Sequence, residues 1–353
     1  MTGGPATAGQ NNSNPEKPIR FAVIGGLTID DVVNAAGEIA LHQCGGNGLY
    51  AAVGARIWSE GIGVVARIGE DYPRSWVEGL AGGGIDVQGV REVSGPHLLR
   101  GGMKYDNRGD RTEFVAHTDL SAEAPAQAVP SAYMHASRET VAVSRAQVDF
   151  APEPEDVPPA YLAAQAFHLS PRIYDKHMRS LALLSQHAKW VSLDPAVWYM
   201  RERNESKLSA LFGNVAAMLP SEVEAAAFAG SQDPEEAARK LGQLGPQMVA
   251  IKLGAAGSLV YDCRSGRTSR VPVYPARVKD PTGAGDSFCG GFMVGYAETQ
   301  DAVAAAMYGT VSASFVVEGF GGLYALQFSR RDAEERLSVV RERWEAAGRS
   351  CHS

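Results

Sequence analysis

The sequence predicts an α/β fold with a mostly parallel central sheet and one separate β-hairpin. Three observations carry that expectation. Short apolar runs alternate with helical stretches along most of the chain, the pattern of parallel strands joined by crossovers. The alternation breaks once, at 97–118, where HLLRGGMKY and TEFVAHT flank a polar turn at Asp106–Asp110 and read as a hairpin. A Gly-rich turn at Lys279–Gly285 then opens a helix that is apolar on most faces, through Phe288, Phe292, Met293 and Tyr296.

The elements follow in order. Arg20–Gly25 is a first strand ending at Gly25-Gly26, and Asp30 and Asp31 come next, as a solvated turn or a helix cap. Cys44-Gly45-Gly46-Asn47 enters a helix backed by Leu49, Val53 and Ile57 at helical spacing. Gly61–Gly69 is a buried strand, and Trp76–Leu80 is helical. Residues 119–160 are rich in Ala, Pro, Glu and Ser and read in part as an irregular insertion. The core resumes with strands at Ala166–Leu169, Lys189–Leu193 and Val215–Leu219, separated by helices at Asp175–Gln186 and Asp233–Leu241, the second with Pro234 in its first turn. Val249–Asp262 is two strands around Leu253–Gly257, a hairpin by period. An Ala-rich helix spans Asp301–Val317. A terminal amphipathic helix at 332–346 is started by Ser329 and Asp332.

Composition narrows the function. The chain has 353 residues, 45% hydrophobic and 21% charged, enough for one large domain or two small ones. A net charge of −7 argues against nucleic acid as a partner. Cys44, Cys263, Cys289 and Cys351 form no CxxC pair, which fits a reducing, cytoplasmic setting and offers no zinc site. His42-x-Cys44 lacks a second half and reads as packing or surface. No run approaches the ~18 apolar residues of a membrane span. Residues 1–18 look like a floppy tail rather than a signal peptide.

The chemistry centres on Lys279-Asp280-Pro281-Thr282-Gly283-Ala284-Gly285-Asp286. Asp-Pro resists helix, and three small residues then let the backbone approach a ligand. Free amides at the helix N-terminus can hold an anion without a basic side chain. A carboxylate beside them, Asp286, can take a proton from a hydroxyl. This is a layout for phosphoryl transfer to an alcohol. A Gly-rich turn alone commonly does no more than connect elements.

The string D-P-T-G-A-G-D-x-F-x-x-G-F resembles the C-terminal signature of the ribokinase-like (PfkB) carbohydrate kinases. The Gly45-Gly46 segment is similar to their G-G-x-x-x-N-x-A signature, with Tyr50 where many members have Asn. The resemblance implies a ribokinase-like three-layer sandwich over 19–328, with lid strands at about 97–118 and a C-terminal helix and tail at 329–353. It implies transfer of the ATP γ-phosphoryl group to a hydroxyl of a small sugar or polyol. Asp286 would be the base, and Gly283, Ala284 and Gly285 the anion hole. Asp30, five residues after Gly25, would grip substrate hydroxyls together with Gly45, Gly46, Asn47 and Tyr50. Ser221, Lys252, Gly254, Gly257 and Gly285 would meet ATP. Glu224 would reach Mg2+ through water, and Asp280 and Thr282 would border a monovalent cation, K+ in some relatives. The lid can also form a homodimer contact. Two rivals follow from the departures at Tyr50 and Ser221: a nucleoside kinase, with Tyr50 stacking on a base, and a lapsed kinase that only binds. No Walker A pattern is present, which argues against a P-loop kinase.

Overall fold

The computed structural model describes residues 18–107, 109, 111–114 and 149–350. The tail expected at 1–18, except its last residue, and most of the insertion expected at 119–160 lie outside them. A nine-stranded sheet has the order β13-β12-β11-β10-β9-β8-β1-β4-β5. It is parallel from β5 across to β11, and β12 and β13 close one edge antiparallel. Its central strands are β1 (Phe21–Ile24), β4 (Ile62–Gly69), β8 (Ala166–Leu169), β9 (Val191–Leu193), β10 (Ala217–Met218) and β11 (Met248–Lys252). The edge strands are β5 (Ile85–Val93), β12 (Ser258–Asp262) and β13 (Arg267–Val271).

Strand β1 shows why the layers form. Phe21 and Val23 belong to one core, Ala22 and Ile24 to the other, as a strand buried on both faces requires. The first core is covered by α1 (Asn47–Arg56), α2 (Arg74–Gly82), α8 (Ala284–Thr299), α9 (Ala302–Val316) and α10 (Arg330–Ser350). The second is covered by α3 (Tyr174–Leu184), α4 (Val197–Arg201), α5 (Glu205–Phe212), α6 (Glu222–Ala229) and α7 (Pro234–Gly242). The result is the expected three-layer α/β/α sandwich. Helix α10 begins as expected, with the Ser329 amide and hydroxyl both donating to Asp332, at 2.8 and 2.6 Å.

The lid differs from the expectation. It has four strands in the order β3-β2-β6-β7, and its first two are β2 (Thr28–Val33) and β3 (Ile39–Gly45). Asp30 and Asp31 therefore lie in a strand, not in a turn or helix cap. The hairpin expected at 97–118 supplies only β6 (Arg100–Tyr105) and β7 (Arg111–Phe114). Ile29 and Val32 face inward on β2, but the two acidic residues between them hide the strand period from a sequence reading. Residues 149–160, the described end of the stretch read in part as an irregular insertion, carry a 3-10 turn at Pro154–Asp156 and lead into another at Pro159–Ala163, and Phe150, Val157 and Tyr161 are buried.

Helix α8 is held on both sides by glycines. A Cβ at Gly290 would stand 1.8 Å from the Ala51 carbonyl of α1, and one at Gly291 would stand 2.3 Å from Ser312 Oγ of α9. Gly54 of α1 returns the contact, its Cβ position 2.2 Å from the Ser287 carbonyl. Gly290→Ala should therefore lower unfolding free energy by at least about 1–3 kcal/mol, the cost of overpacking against backbone. Gly82→Ala, where nothing lies within 4 Å, should leave urea unfolding unchanged or slightly more stable.

Candidate active site

The site lies where the C-terminal ends of β1, β9 and β11 meet the N-terminus of α8, beneath the lid. The turn into α8 is fixed first. Gly283 caps the helix in the left-handed region, at φ 75°, a conformation that glycine adopts without penalty. The ring of Tyr50 lies directly on it: a Cβ at Gly283 would stand 2.1 Å from Tyr50 Cγ. Tyr50 is only 2% exposed. Of the two readings of Tyr50, stacking on a substrate ring or simply packing, the structure shows packing, with the ring against the loop.

The loop is braced from two further directions. The amides of Lys279 and Asp280 donate to the Val317 carbonyl, at 2.7 and 3.1 Å. Asp280 Oδ1 accepts from the Thr282 amide (2.9 Å) and hydroxyl (2.6 Å). Thr282 Oγ1 also meets the Tyr105 hydroxyl of β6 at 3.0 Å, which ties the lid to the loop. Asp280 and Thr282, expected beside a monovalent cation, are engaged with each other and with the lid.

The three small residues do not behave alike. The Ala284 amide donates to the Pro281 carbonyl (3.2 Å), so its place in the expected anion hole is already taken. Among the described residues, the amides of Gly283 and Gly285 have no protein acceptor and remain available. Asp286 follows in the first turn of α8. Burial raises its carboxyl above the ordinary range, while the charges of Lys252 and Arg111 pull it back. Arg111 is on β7, directly opposite Tyr105, so both side chains share the lid face turned toward the loop. The sequence reading passed over Arg111 because nothing local marks it.

Asp30 is buried at 4% exposure. Burial pushes its carboxyl up to about 7, against the Thr28 hydroxyl, which donates at 2.6 Å; Asp280, Asp31 and Asp286 add to the rise. Gly45 is what admits it, since a Cβ there would lie 1.8 Å from Asp30 Oδ2. Gly46 has φ 107°, and its Cβ position is 2.4 Å from the Gly26 carbonyl. Asn47 works inside the fold rather than toward the cavity: its Oδ1 accepts from the Gly26 amide (2.7 Å) and its Nδ2 donates to the Pro171 carbonyl (2.9 Å). It splices the end of β1 to the segment after β8.

On the far side, Ser221 is the N-cap of α6. Its amide donates to Glu224 Oε2 (2.8 Å), and its hydroxyl bonds the same oxygen. Glu224 closes a capping box. Gly254 and Gly257 form the β11–β12 turn with φ 56° and 89°; the Gly254 face is open, whereas a Cβ at Gly257 would lie 2.1 Å from the Val271 carbonyl. Lys252 is buried and ion-paired to Asp194, a residue just past β9 that sequence reasoning missed. Its Nζ lies 3.7 Å from the Cβ position of Gly285, beside the free amides. His168 and Ser170 are structural: His168 Nδ1 bonds Ser192 Oγ (3.0 Å), and the Ser170 amide extends the β1 pairing to the Ile24 carbonyl (3.0 Å). Cys44 Sγ meets the Tyr72 hydroxyl at 3.5 Å, and no group of three metal-ligating residues forms among the described residues. No helix there is long and apolar enough to cross a membrane.

Residues 41–327 match the model of the pfkB family carbohydrate kinases. The cytidine kinase of Thermococcus kodakarensis is 28% identical over 276 residues, covering 78% of this chain and 88% of the relative. Among solved structures, the nucleoside kinase of Methanocaldococcus jannaschii superposes with a TM-score of 0.65 at 17% identity, covering 91% of this chain and 99% of that one. The aminoimidazole riboside kinase of Salmonella enterica, solved with aminoimidazole riboside and an ATP analog, gives 0.65 at 18% identity, covering 90% and 100%.

Gly283→Ala should destabilise the fold by about 1–3 kcal/mol, from the left-handed backbone and the overlap with Tyr50. Denaturant unfolding checks this, and in a double-mutant cycle with Tyr50→Ala the added cost of Gly283→Ala should shrink, since the ring that the new methyl meets is gone.

Proposed function

This chain belongs to the pfkB family of carbohydrate kinases, phosphotransferases with an alcohol acceptor, and on that premise we propose that it phosphorylates the ribosyl hydroxyl of a nucleoside from ATP. One observation carries the chemistry: a carboxylate, Asp286, stands in the first turn of α8 beside the unpaired amides of Gly283 and Gly285. The acceptor hydroxyl gives its proton to Asp286 as its oxygen attacks the γ-phosphorus. A new oxygen–phosphorus bond forms, the bond from the γ-phosphorus to the β-phosphate oxygen breaks, and ADP leaves. The two amides and the Lys252 ammonium meet the charge that develops on the phosphoryl oxygens. Asp30 accepts from two neighbouring hydroxyls of the acceptor. The Gly254 turn, open on one face, borders the nucleotide.

Magnesium fits this site as a mostly hydrated ion. The acids present, Asp194, Glu224 and Asp286, form no cage, and both bonds of Glu224 use one carboxylate oxygen. Its other oxygen and Asp286 would hold the ion through water. When bound, the ion supplies charge neutralisation on the phosphates.

The nucleoside reading, a rival on sequence alone, gains support from the relatives. Val32, Met103 and Tyr105 form an apolar patch with Phe320. Asp30 Oδ1 and Met103 Cε both approach the Cβ position of Gly101, at 3.0 and 3.9 Å, so the patch adjoins the hydroxyl-gripping carboxylate. Val32, Met103 and Tyr105 are buried, so they back the carboxylate and leave the choice of acceptor to other evidence. The named activities of the relatives favour a nucleoside. A panel of cytidine, uridine, adenosine, inosine, ribose and fructose with Mg-ATP, read as ADP release, tests the choice. Preferred turnover of ribose or fructose would reverse it, and turnover of nothing would favour the lapsed kinase.

Asp286→Asn should lower kcat by about 10²–10⁴-fold with little change in KM, the usual weight of a positioned base. Wild-type turnover in that variant rejects the mechanism. Asp30 gives a pH test. It grips hydroxyls best as the carboxylate, so kcat/KM for the acceptor should fall as pH drops through about 7. Stability runs the other way. Because the folded carboxyl is raised above its unfolded value, its contribution is full below about 4 and is lost as pH rises through about 7. Asp30→Asn should therefore unfold at higher denaturant than wild type at pH 8, while losing acceptor binding.

A further inference from the structure

A lysine at the anion hole is useful only if its ammonium is held still. Lys252 sits at the end of β11, its amide donating to the Pro220 carbonyl (2.9 Å) past the end of β10. From there its side chain crosses toward β9 and α8. Its stem lies against Gly285, with Cδ 3.5 Å, Nζ 3.7 Å and Cε 3.8 Å from the Cβ position of that glycine. The ammonium is ion-paired to Asp194, and Cys289 Sγ lies 3.5 Å from it. Cys289 is one helical turn beyond Gly285 on α8, and its thiol stands 3.6 Å from Asp194 Oδ2. The Asp194 side chain is only 4% exposed and the Lys252 side chain 12%. The carboxylate is therefore sealed from the cavity while the ammonium still touches its edge.

We infer that Asp194, with Cys289, is a positioning residue that clamps the Lys252 ammonium beside the Gly283 and Gly285 amides, so that its remaining hydrogen is aimed at the transferred phosphoryl group. An ammonium has three donors. Asp194 and Cys289 occupy two from the buried side, which leaves one for the cavity. A lysine on four flexible bonds otherwise loses much rotamer freedom on meeting a ligand; a fixed counterion removes that cost before the nucleotide arrives. The burial of Asp194 also keeps it from competing with the phosphate for the cavity. Electrostatics around the pair agree: Asp194 is faced by Lys252 from β11, Asp286 and Cys289 from α8, Glu224 from α6 and Tyr199 from α4, while Arg172 acts on Tyr199 and His168, and Arg111 of the lid acts on Asp286.

The inference rests on the phosphoryl-transfer reading, and its test separates the two. Asp194→Glu keeps the ion pair but moves the ammonium by about one bond. Misplacement of about 1 Å can cost 10²-fold. This variant should melt near the wild-type temperature, keep its acceptor KM within about twofold, and lose tenfold or more in kcat. Lys252→Met should lose kcat by about 10²-fold, as removal of one anion-hole donor does. It leaves Asp194 buried without a partner and should melt lower. The double variant Lys252→Met/Asp194→Asn should regain melting temperature over Lys252→Met, because no buried charge is left uncompensated, and should show no further fall in kcat. Recovery of stability without recovery or further loss of activity is what positioning requires and a purely structural pair does not give. Wild-type kcat in Asp194→Glu overturns the inference, as does an additional fall in the double variant. If those results come while Asp286→Asn still abolishes turnover, the kinase mechanism stands and the clamp alone fails. If wild type turns over no acceptor, both fall.

Discussion

The left-handed turn at Gly283, pressed under the ring of Tyr50, is the constraint on which the site depends. It sets where α8 begins, and so where Asp286 and the free amides of Gly283 and Gly285 point. The turn could not hold that geometry alone, because a glycine is free to leave it. Tyr50 closes the space that such a movement would need, and the bonds of Asp280, Thr282 and Val317 fix the residues before it. Behind the turn, the glycine contacts of α8 with α1 and α9 stop the helix from sliding along its axis. The reactive end of α8 is thus held by packing along the whole length of the helix, not by its own first turn.

Charge organises the same region. Asp30, Asp194, Asp280 and Asp286 all carry carboxyls raised by burial. Each is given a local compensation: Thr28 for Asp30, Lys252 for Asp194, Thr282 for Asp280, and the Lys252 and Arg111 charges for Asp286. A folded chain gains no stability from four enclosed acids. Their presence together is consistent with the proposed phosphoryl transfer, in which acceptor hydroxyls and phosphates with their cation would meet these groups. The lid takes part through Tyr105 and Arg111, which share one face of its sheet, so its position and the electrostatics at Asp286 are linked.

Much of the fold was legible along the chain. Strands β1, β4, β8, β9, β10 and β11, the β11–β12 hairpin and the longer helices were marked by period, because a strand buried on both faces and a helix covering it leave different hydrophobic spacings; β5, β13, α4 and α5 were not. Nor was strand β2, because Asp30 and Asp31 interrupt its period; they are buried by pairing with β3 and β6, which no local propensity encodes. At the site, Asp286 and the Gly-Ala-Gly turn could be read in order, since they are neighbours in sequence. Ala284 shows the limit even there: whether an amide is free depends on where Pro281 turns its carbonyl.

By itself the sequence determined which short segments carry chemistry, since a turn that needs glycine and a carboxylate that follows it are written in adjacent residues. The tertiary structure decided which long-range partners complete them. Tyr50 turned out to face Gly283 instead of the cavity. Asn47 reaches across 124 residues to the Pro171 carbonyl. Asp194 meets Lys252 across 58 residues. The physical reason is the same in each case: a polar side chain bonds to whatever the packing of distant elements brings within about 3 Å, and that distance is not a property of the local sequence.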